Sequence, residues 1–246
     1  MSPDELRIWL NHFEHHAQHP RCVPSGLADV LTPEERRLIA RSIATFQLGE
    51  QSEGATLLQA AERFARRRQL SSLVQILQLF VREEQRHAAL LREFMEDHGM
   101  ALKRRDWTDG VFRRLRRLAG LELYLYVLIT AEFIGILYYR ALEAATDCQR
   151  LKVLCRTLVC DELAHVGFES QVLLELRAAR APAVRALLRL GHRAFLAATA
   201  SVVWLTHRAV LQRAGYGARS FLRACLAQYA FHLEPAPAAL PSASVP

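Results

Sequence analysis

The sequence predicts an all-α protein, an antiparallel four-helix bundle with an extra N-terminal helix and one or two C-terminal helices. Three observations carry that expectation. Strand signals are nearly absent: there is no Asn-Gly hairpin and little period-two alternation. Helix starts are well marked, and apolar residues recur at steps that sum to helical turns. Two of the helical segments also carry the same step, a glutamate three residues before a histidine, inside matching apolar stripes: Glu84 and His87 in "VREEQRHAALL", Glu162 and His165 in "VCDELAHVGF".

The elements follow in order. A short amphipathic helix opens the chain, and a loop with Pro20, Pro24 and Gly26 follows it. Thr32 is an N-cap, Pro33 occupies the first helical position and Glu35 the capping-box position, so the first bundle helix starts there. Its stripe of Ile39, Ile43, Phe46, Leu57 and Phe64 predicts one helix over 33–68. A second helix begins near Ser71 and Ser72, with the stripe Leu73, Leu77, Phe80, Glu84, His87, Leu91, Phe94, and ends at Gly99. A basic linker leads to a third helix after "DWTDG", carrying Leu121, Leu125, Leu128, Glu132, Gly135, Tyr139 and Leu142. A fourth follows "TDCQR" with Leu151, Cys155, Leu158, Glu162, His165, Glu169, Val172 and Leu176. Pro182 opens a fifth helix to about 213, Gly215 and Gly217 break it, and a sixth covers about 218–231. Aligning the second helix on the fourth by the Glu-xx-His step sets Leu73, Leu77 and Phe80 on Leu151, Cys155 and Leu158. Two such hairpins joined by a crossover make a bundle. The expected organisation is 1–31 N-terminal helix and loop, 32–180 bundle, 181–232 C-terminal helices packed on it or forming an interface, and 233–246 a Pro/Ala/Ser-rich disordered tail.

Composition narrows the class. The chain has 246 residues, 51% hydrophobic and 23% charged, which suffices for one sizeable core. Its formal charge of +7 is clustered in arginine-rich runs at 63–68, 103–105 and 113–117. No nucleic-acid motif accompanies the runs, so they read as solvated helix ends and no nucleic-acid partner is expected. Five cysteines, an odd number without Cys-xx-Cys spacing, argue against a disulfide scaffold and for a reducing compartment. The N-terminus has acids and no apolar core of a signal peptide, so a cytoplasmic location is expected. Charges interrupt the longest apolar runs before they reach the ~18 clean residues of a spanning helix, which disfavours a membrane. His12, His15, His16 and His19 read as a solvated helix end, and His207 as a satisfied core group.

The stripes raise an energetic problem. Glu84, His87, Glu162 and His165 share faces with leucine and phenylalanine, and an unpartnered buried charge costs several kcal/mol. A glutamate at i and a histidine at i+3 leave one helix face on adjacent turns, so each pair can offer an oxygen and a nitrogen to one cation. The third helix adds Glu132, the only charge in "LITAEFIGILYY", and the first adds Glu50 and Glu53 in "QLGEQSEG"; either can complete the set. One glutamate from each of two helices plus Glu-xx-His from each of the other two is a two-metal carboxylate ligand set. Its mix of carboxylate and imidazole suits iron or manganese. A layer of Glu–His and Glu–Arg pairs that fixes register is the alternative reading of the same stripe.

On these residues the chain resembles the ferritin-like di-iron proteins over about residues 33–178: bacterioferritin, rubrerythrin, the small subunit of ribonucleotide reductase and the di-iron N-oxygenases. The segments "FQLGEQSEG", "EEQRHAALL", "RRLAGLELYLYVLITAEFIGILYYRAL" and "DELAHVGFES" are similar more narrowly to bacterial ferritin-like domain proteins. The resemblance implies a ferritin-like bundle and two iron ions, with mixed iron and manganese or manganese alone as variants. The metal ligands implied are Glu50 or Glu53, Glu84, His87, Glu132, Glu162 and His165. It also places a tyrosine near the metals, here Tyr139. Glu169, four residues after His165, reads either as a further ligand or proton carrier, or as a side chain angled outward to an arginine.

Three functions fit. The first is an oxidoreductase that activates dioxygen or peroxide at two irons and acts on a small molecule, fed by a reductase or ferredoxin. Phe80, Leu91, Leu128 and Leu158 would keep that cavity dry. The second is a ferroxidase or iron-handling protein. The third is a non-catalytic membrane-surface or partner-binding bundle using Arg113–Arg117 and the fifth helix. The apolar "FLAATASVVWLTH" also predicts a homodimer.

Overall fold

A computed structural model of the chain describes residues 1–51, 54–105 and 120–234. The described residues form eight α-helices and no strand: α1 (Pro3–Gln18), α2 (Pro33–Glu50), α3 (Ala55–Arg68), α4 (Ser71–Asp97), α5 (Leu121–Ala144), α6 (Gln149–Ala178), α7 (Pro182–Arg213) and α8 (Ala218–Leu233). The all-helical architecture agrees with the sequence. The "DWTDG" start of the third bundle helix, the arginine run at 113–117 and the tail beyond 234 lie outside the described residues.

The segment 33–68 is two helices rather than one. α2 ends at Glu50, and α3 begins at Ala55 after Gly54, which has φ +66°. A side chain there would be strained, and its Cβ would sit 2.5 Å from Val81 Cγ2 on α4. The helix breaks because the backbone is pressed onto α4 at that point. We expect Gly54→Ala to destabilise the protein by about 3 kcal/mol in urea titrations, combining left-handed strain and overpacking. Val81→Ala in the same chain should relieve the clash but not the strain.

The N-cap of α2 has a tertiary role as well. Glu35 accepts from Thr32 in a full capping box, and its other oxygen accepts from the Asp147 amide at 2.6 Å and the Thr146 hydroxyl at 3.2 Å. Burial opposes its charge, but these donors outweigh it and hold the carboxyl at about 2. The start of α2 is thereby clipped to the turn between α5 and α6.

α2 and α3 together form a hairpin with α4, and α5 forms a second with α6. The hairpins meet through α3 against α5 and α4 against α6. α1 lies on α4, while α7 covers α5 and α2, and α8 packs on α7, α5 and α6. The apolar interior falls into two clusters. One holds Ile39, Ile43, Leu91, Phe94, Phe133, Tyr139 and Leu158; the other holds Leu6, Phe13, Leu57, Leu77, Phe80, Leu128 and Phe168. Along α4, Glu84 and His87 divide the two: Leu73 to Val81 belong to the second, and Leu91, Phe94 and Met95 to the first.

By length and composition, α5 and α7 could each cross a membrane, a criterion that tolerates the isolated charges interrupting them. The most apolar window of α5 is 78% buried within the chain, as befits a core helix, whereas that of α7 is only 28% buried.

Candidate metal centre

Glu84 and His87 project from adjacent turns of α4, Glu162 and His165 from adjacent turns of α6, and all four are buried. α5 contributes the buried Glu132, and α2 contributes Glu50 as its final residue. Ligand atoms of these six side chains fall into two groups, each spanning no more than 4.8 Å: Glu50, Glu84, His87 and Glu162 in one, Glu84, Glu132, Glu162 and His165 in the other. Glu84 and Glu162 belong to both. Each group adds one further carboxylate and one imidazole. Of the two candidates on the first bundle helix, Glu50 joins the His87 group, and Glu53 lies outside the described residues.

The imidazoles are aimed by their outer nitrogens. His87 Nδ1 lies 3.2 Å from Glu162 Oε1, and His165 Nδ1 lies 3.0 Å from Glu84 Oε1 and 3.0 Å from Glu162 Oε2. On the far side, His87 Nε2 donates to Asp161 at 3.1 Å and His165 Nε2 donates to Glu83 at 3.1 Å. The partners are exchanged: Asp161 of α6 holds the histidine of α4, and Glu83 of α4 holds the histidine of α6. With both Nε2–H groups committed to carboxylates, each Nδ1 can present its lone pair inward once its proton leaves.

Glu83 and Asp161 were not expected in this role; Glu83 reads from the sequence as a surface residue. Its side chain is 9% exposed and that of Asp161 is fully buried. The signal was present as an acid immediately before each Glu-xx-His, "EEQRH" and "DELAH". His16 also departs from the solvated helix end: it is buried and bridges the two carboxylates, with Nδ1 on Glu83 and Nε2 3.4 Å from Asp161. α1 is carried there by Phe13, which packs against Phe80, Phe168 and the His165 ring, and by Trp9, which donates to Gln171 at 2.7 Å. His16, Glu83 and Asp161 could by themselves hold a cation, but Arg21 and Arg86 already place guanidinium groups on Asp161. Burial opposes the charge on Glu83, yet the bond from His165 and the neighbouring imidazoles hold its carboxyl at about 2. Asp161 is held low, against burial, chiefly by the bond from His87. Asp161→Asn removes the anionic partner of His87 and should weaken metal binding in the His87 group by about 10- to 100-fold, read by Co(II) titration.

Compared with known proteins, the chain matches no family model, no curated protein and no solved structure. The chemistry of the centre is therefore read from its own atoms.

Those atoms fit a pair of divalent metals. Glu84 Oε1, His87 Nδ1 and Glu162 Oε1 are buried with no well-formed hydrogen bond among the described residues; their close neighbours are one another and His165, His87 Nδ1 at 3.2 Å from Glu162 Oε1 and His165 Nδ1 at 3.0 Å from Glu84 Oε1. Such groups are costly to leave unsatisfied in a native interior. Four carboxylates would balance the charge of two divalent cations. The metal-free charge pattern is strained in the same sense. Burial, then the charges of Glu84 and Glu162, push Glu50 well above its ordinary value; burial, then Glu162 and Glu84, do the same to Glu132. His87 is raised to about 10: burial opposes its charge, but bonds to Asp161 and Glu162 prevail. His165 is raised likewise, against burial, by Glu162, Glu83 and Glu84. Without metals, burial and mutual repulsion favour the protonated forms of these two carboxyls, and the neighbouring carboxylates favour those of the two imidazoles.

The remaining candidates sort by contact. The Tyr139 hydroxyl donates to Glu50, so it touches the His87 group through that carboxylate. Glu169 is fully buried and reaches no arginine, which sets aside its outward reading. Neither of its oxygens has a hydrogen-bond partner among the described residues, and neither joins the two groups. Burial pushes its carboxyl well up; His165 opposes this, and Glu84 and Glu162 add to it, so Glu169 sits within the field of the centre. Phe80, Leu91, Leu128 and Leu158 are buried. His207 is paired with Ser42 at 2.8 Å and packs on Phe46 and Tyr138, apart from both groups.

Proposed function

We propose that the chain is a ferritin-like four-helix-bundle oxidoreductase that holds two iron ions, or iron and manganese, and activates dioxygen or peroxide to oxidise a small molecule. The observation that carries this reading is the pair of ligand groups sharing Glu84 and Glu162, each completed by one carboxylate and one imidazole. Two close redox metals supply electrons to an oxygen species at such a centre.

The chain's own residues would do the rest. Glu84 and Glu162 would hold both ions, Glu50 with His87 one of them, and Glu132 with His165 the other. Asp161 and Glu83 fix the imidazole rings and keep their protons on the outer nitrogens. Tyr139 steadies Glu50 and is placed to hand a proton to its carboxylate. Phe80, Leu91, Leu128 and Leu158 would exclude water. A soluble reductase or ferredoxin is the expected source of electrons.

Elemental analysis of protein produced with iron and manganese, together with the optical response of the Fe(II)-loaded chain to air, tests the reading. About two metals per chain and an absorbance change on aeration are expected, both lost in Glu84→Ala with His165→Ala. Metal-free protein with no response, indistinguishable from that variant, defeats it. Isolation as a large shell that takes up iron favours iron handling over small-molecule oxidation.

A further inference from the structure

α7 and α8 present a surface that the centre does not use. Leu187 and Leu190 on α7 are 69% and 67% exposed, Leu205 is 62% exposed and Phe231 on α8 is 81% exposed. These side chains lie opposite the inward stripes of the two helices, His192, Leu196, Ala200, His207 and Leu211 on α7 and Phe221, Cys225, Tyr229 and Leu233 on α8. Large apolar side chains exposed along one helical face mark a docking surface.

The charge on the same hairpin identifies the partner. α7 and α8 carry seven arginines and no acid, as large as the formal excess of the whole chain, +7. Arg193 pairs with Glu234, just past α8, while Arg185, Arg189, Arg208, Arg213, Arg219 and Arg223 form no ion pair among the described residues. A second copy seated face to face would bring Arg208 and Arg213, which flank the exposed leucines, against like charge with no acid on either helix to compensate. An anionic lipid surface offers what both features need: acyl chains for the leucines and phosphate for the arginines. α7 would lie in the interface rather than span it, because its inner stripe, including His192 and His207, is committed to the protein interior.

We infer that the outer face of the α7–α8 hairpin docks the protein on anionic membrane surfaces. This surface does not depend on the metal centre, so the two readings can fail separately. The test is flotation of the full chain with vesicles of phosphatidylcholine alone and of phosphatidylcholine with phosphatidylglycerol. Binding is expected to the anionic vesicles only, and to fall at least tenfold at about 0.5 M salt. Leu187→Glu with Leu190→Glu, and separately Arg208→Glu with Arg213→Glu, should each reduce binding at least tenfold. The leucines, Arg208 and Arg213 are exposed, so unchanged helicity and metal content should accompany the loss. No flotation, or flotation unaffected by either pair, overturns the inference. So does a dimer, seen by sedimentation, that Leu187→Glu with Leu190→Glu dissolves while vesicles are ignored.

Discussion

Removing Glu162 should cost the protein both metals, whereas removing Glu50 should cost it one. Glu162 stands in both ligand groups, with one oxygen 3.2 Å from His87 Nδ1 and the other 3.0 Å from His165 Nδ1. Glu50 stands only in the group of His87. In Mn(II) or Co(II) titrations, Glu162→Ala and the isosteric Glu162→Gln should weaken both binding steps by at least about 100-fold, since each ion loses an anionic ligand. Glu50→Ala should weaken one step and leave the other within about threefold. The glutamine variant guards against a folding defect. Alanine leaves two buried imidazolium groups beside an empty space, a loss on the order of 3–5 kcal/mol, whereas glutamine keeps the volume and an acceptor oxygen. Two separately retained metals in Glu162→Gln would contradict a shared centre. Loss of both in Glu50→Ala would contradict the assignment of Glu50 to one half.

The residues in this argument were legible to different degrees. Glu84, His87, Glu132, Glu162 and His165 could be placed on inward faces because helical periodicity alone positions them, and the recurrence of the Glu-xx-His step paired the two helices. Periodicity could not see the break between Glu50 and Gly54. The left-handed glycine there answers to Val81, some 27 residues away, and the stripe through Phe46 and Leu57 continues as though the helix were whole. Nor could it see the exchanged carboxylates. On an isolated helix, Glu83 falls one position off the stripe. Only the facing turn of α6, which brings His165 within 3.1 Å, turns that position inward. His16 was hidden for a similar reason. Its burial depends on Phe13 seating α1 against α4 and α6, a contact between segments about 150 residues apart. Local pattern located the atoms that would bind metal, while the atoms that aim them came from tertiary contacts.

Metal loading should release protons, and its strength should rise steeply with pH. In the metal-free chain His87 holds its proton up to about 10, and His165, Glu50 and Glu132 are all raised well above their ordinary values. Each of these groups must deprotonate to become a ligand, so each proton displaced adds about a factor of ten per pH unit to the loading constant. Loading at neutral pH should expel protons, measured by calorimetry in buffers of different ionisation enthalpy. The same shifts set the stability of the metal-free protein with the opposite sign. A histidine raised in the folded state contributes stability that is complete below its unfolded value near 6.5, and that stability is lost as pH climbs through about 10. A carboxyl raised in the folded state likewise binds more protons folded than unfolded, so stability falls as pH rises above the ordinary carboxylate range. Burial holds His192 down at about 3, so the stability it adds rises with pH only up to its unfolded value of 6.5; above that range the metal-free melting temperature should therefore decline from about pH 7 toward pH 9. The gain on adding Mn(II) should grow over the same interval, because the ions take the places the protons leave. A metal-free protein that grows more stable across this range, or metal binding without proton release, would mean that these four side chains are already deprotonated and held by some other arrangement of charge.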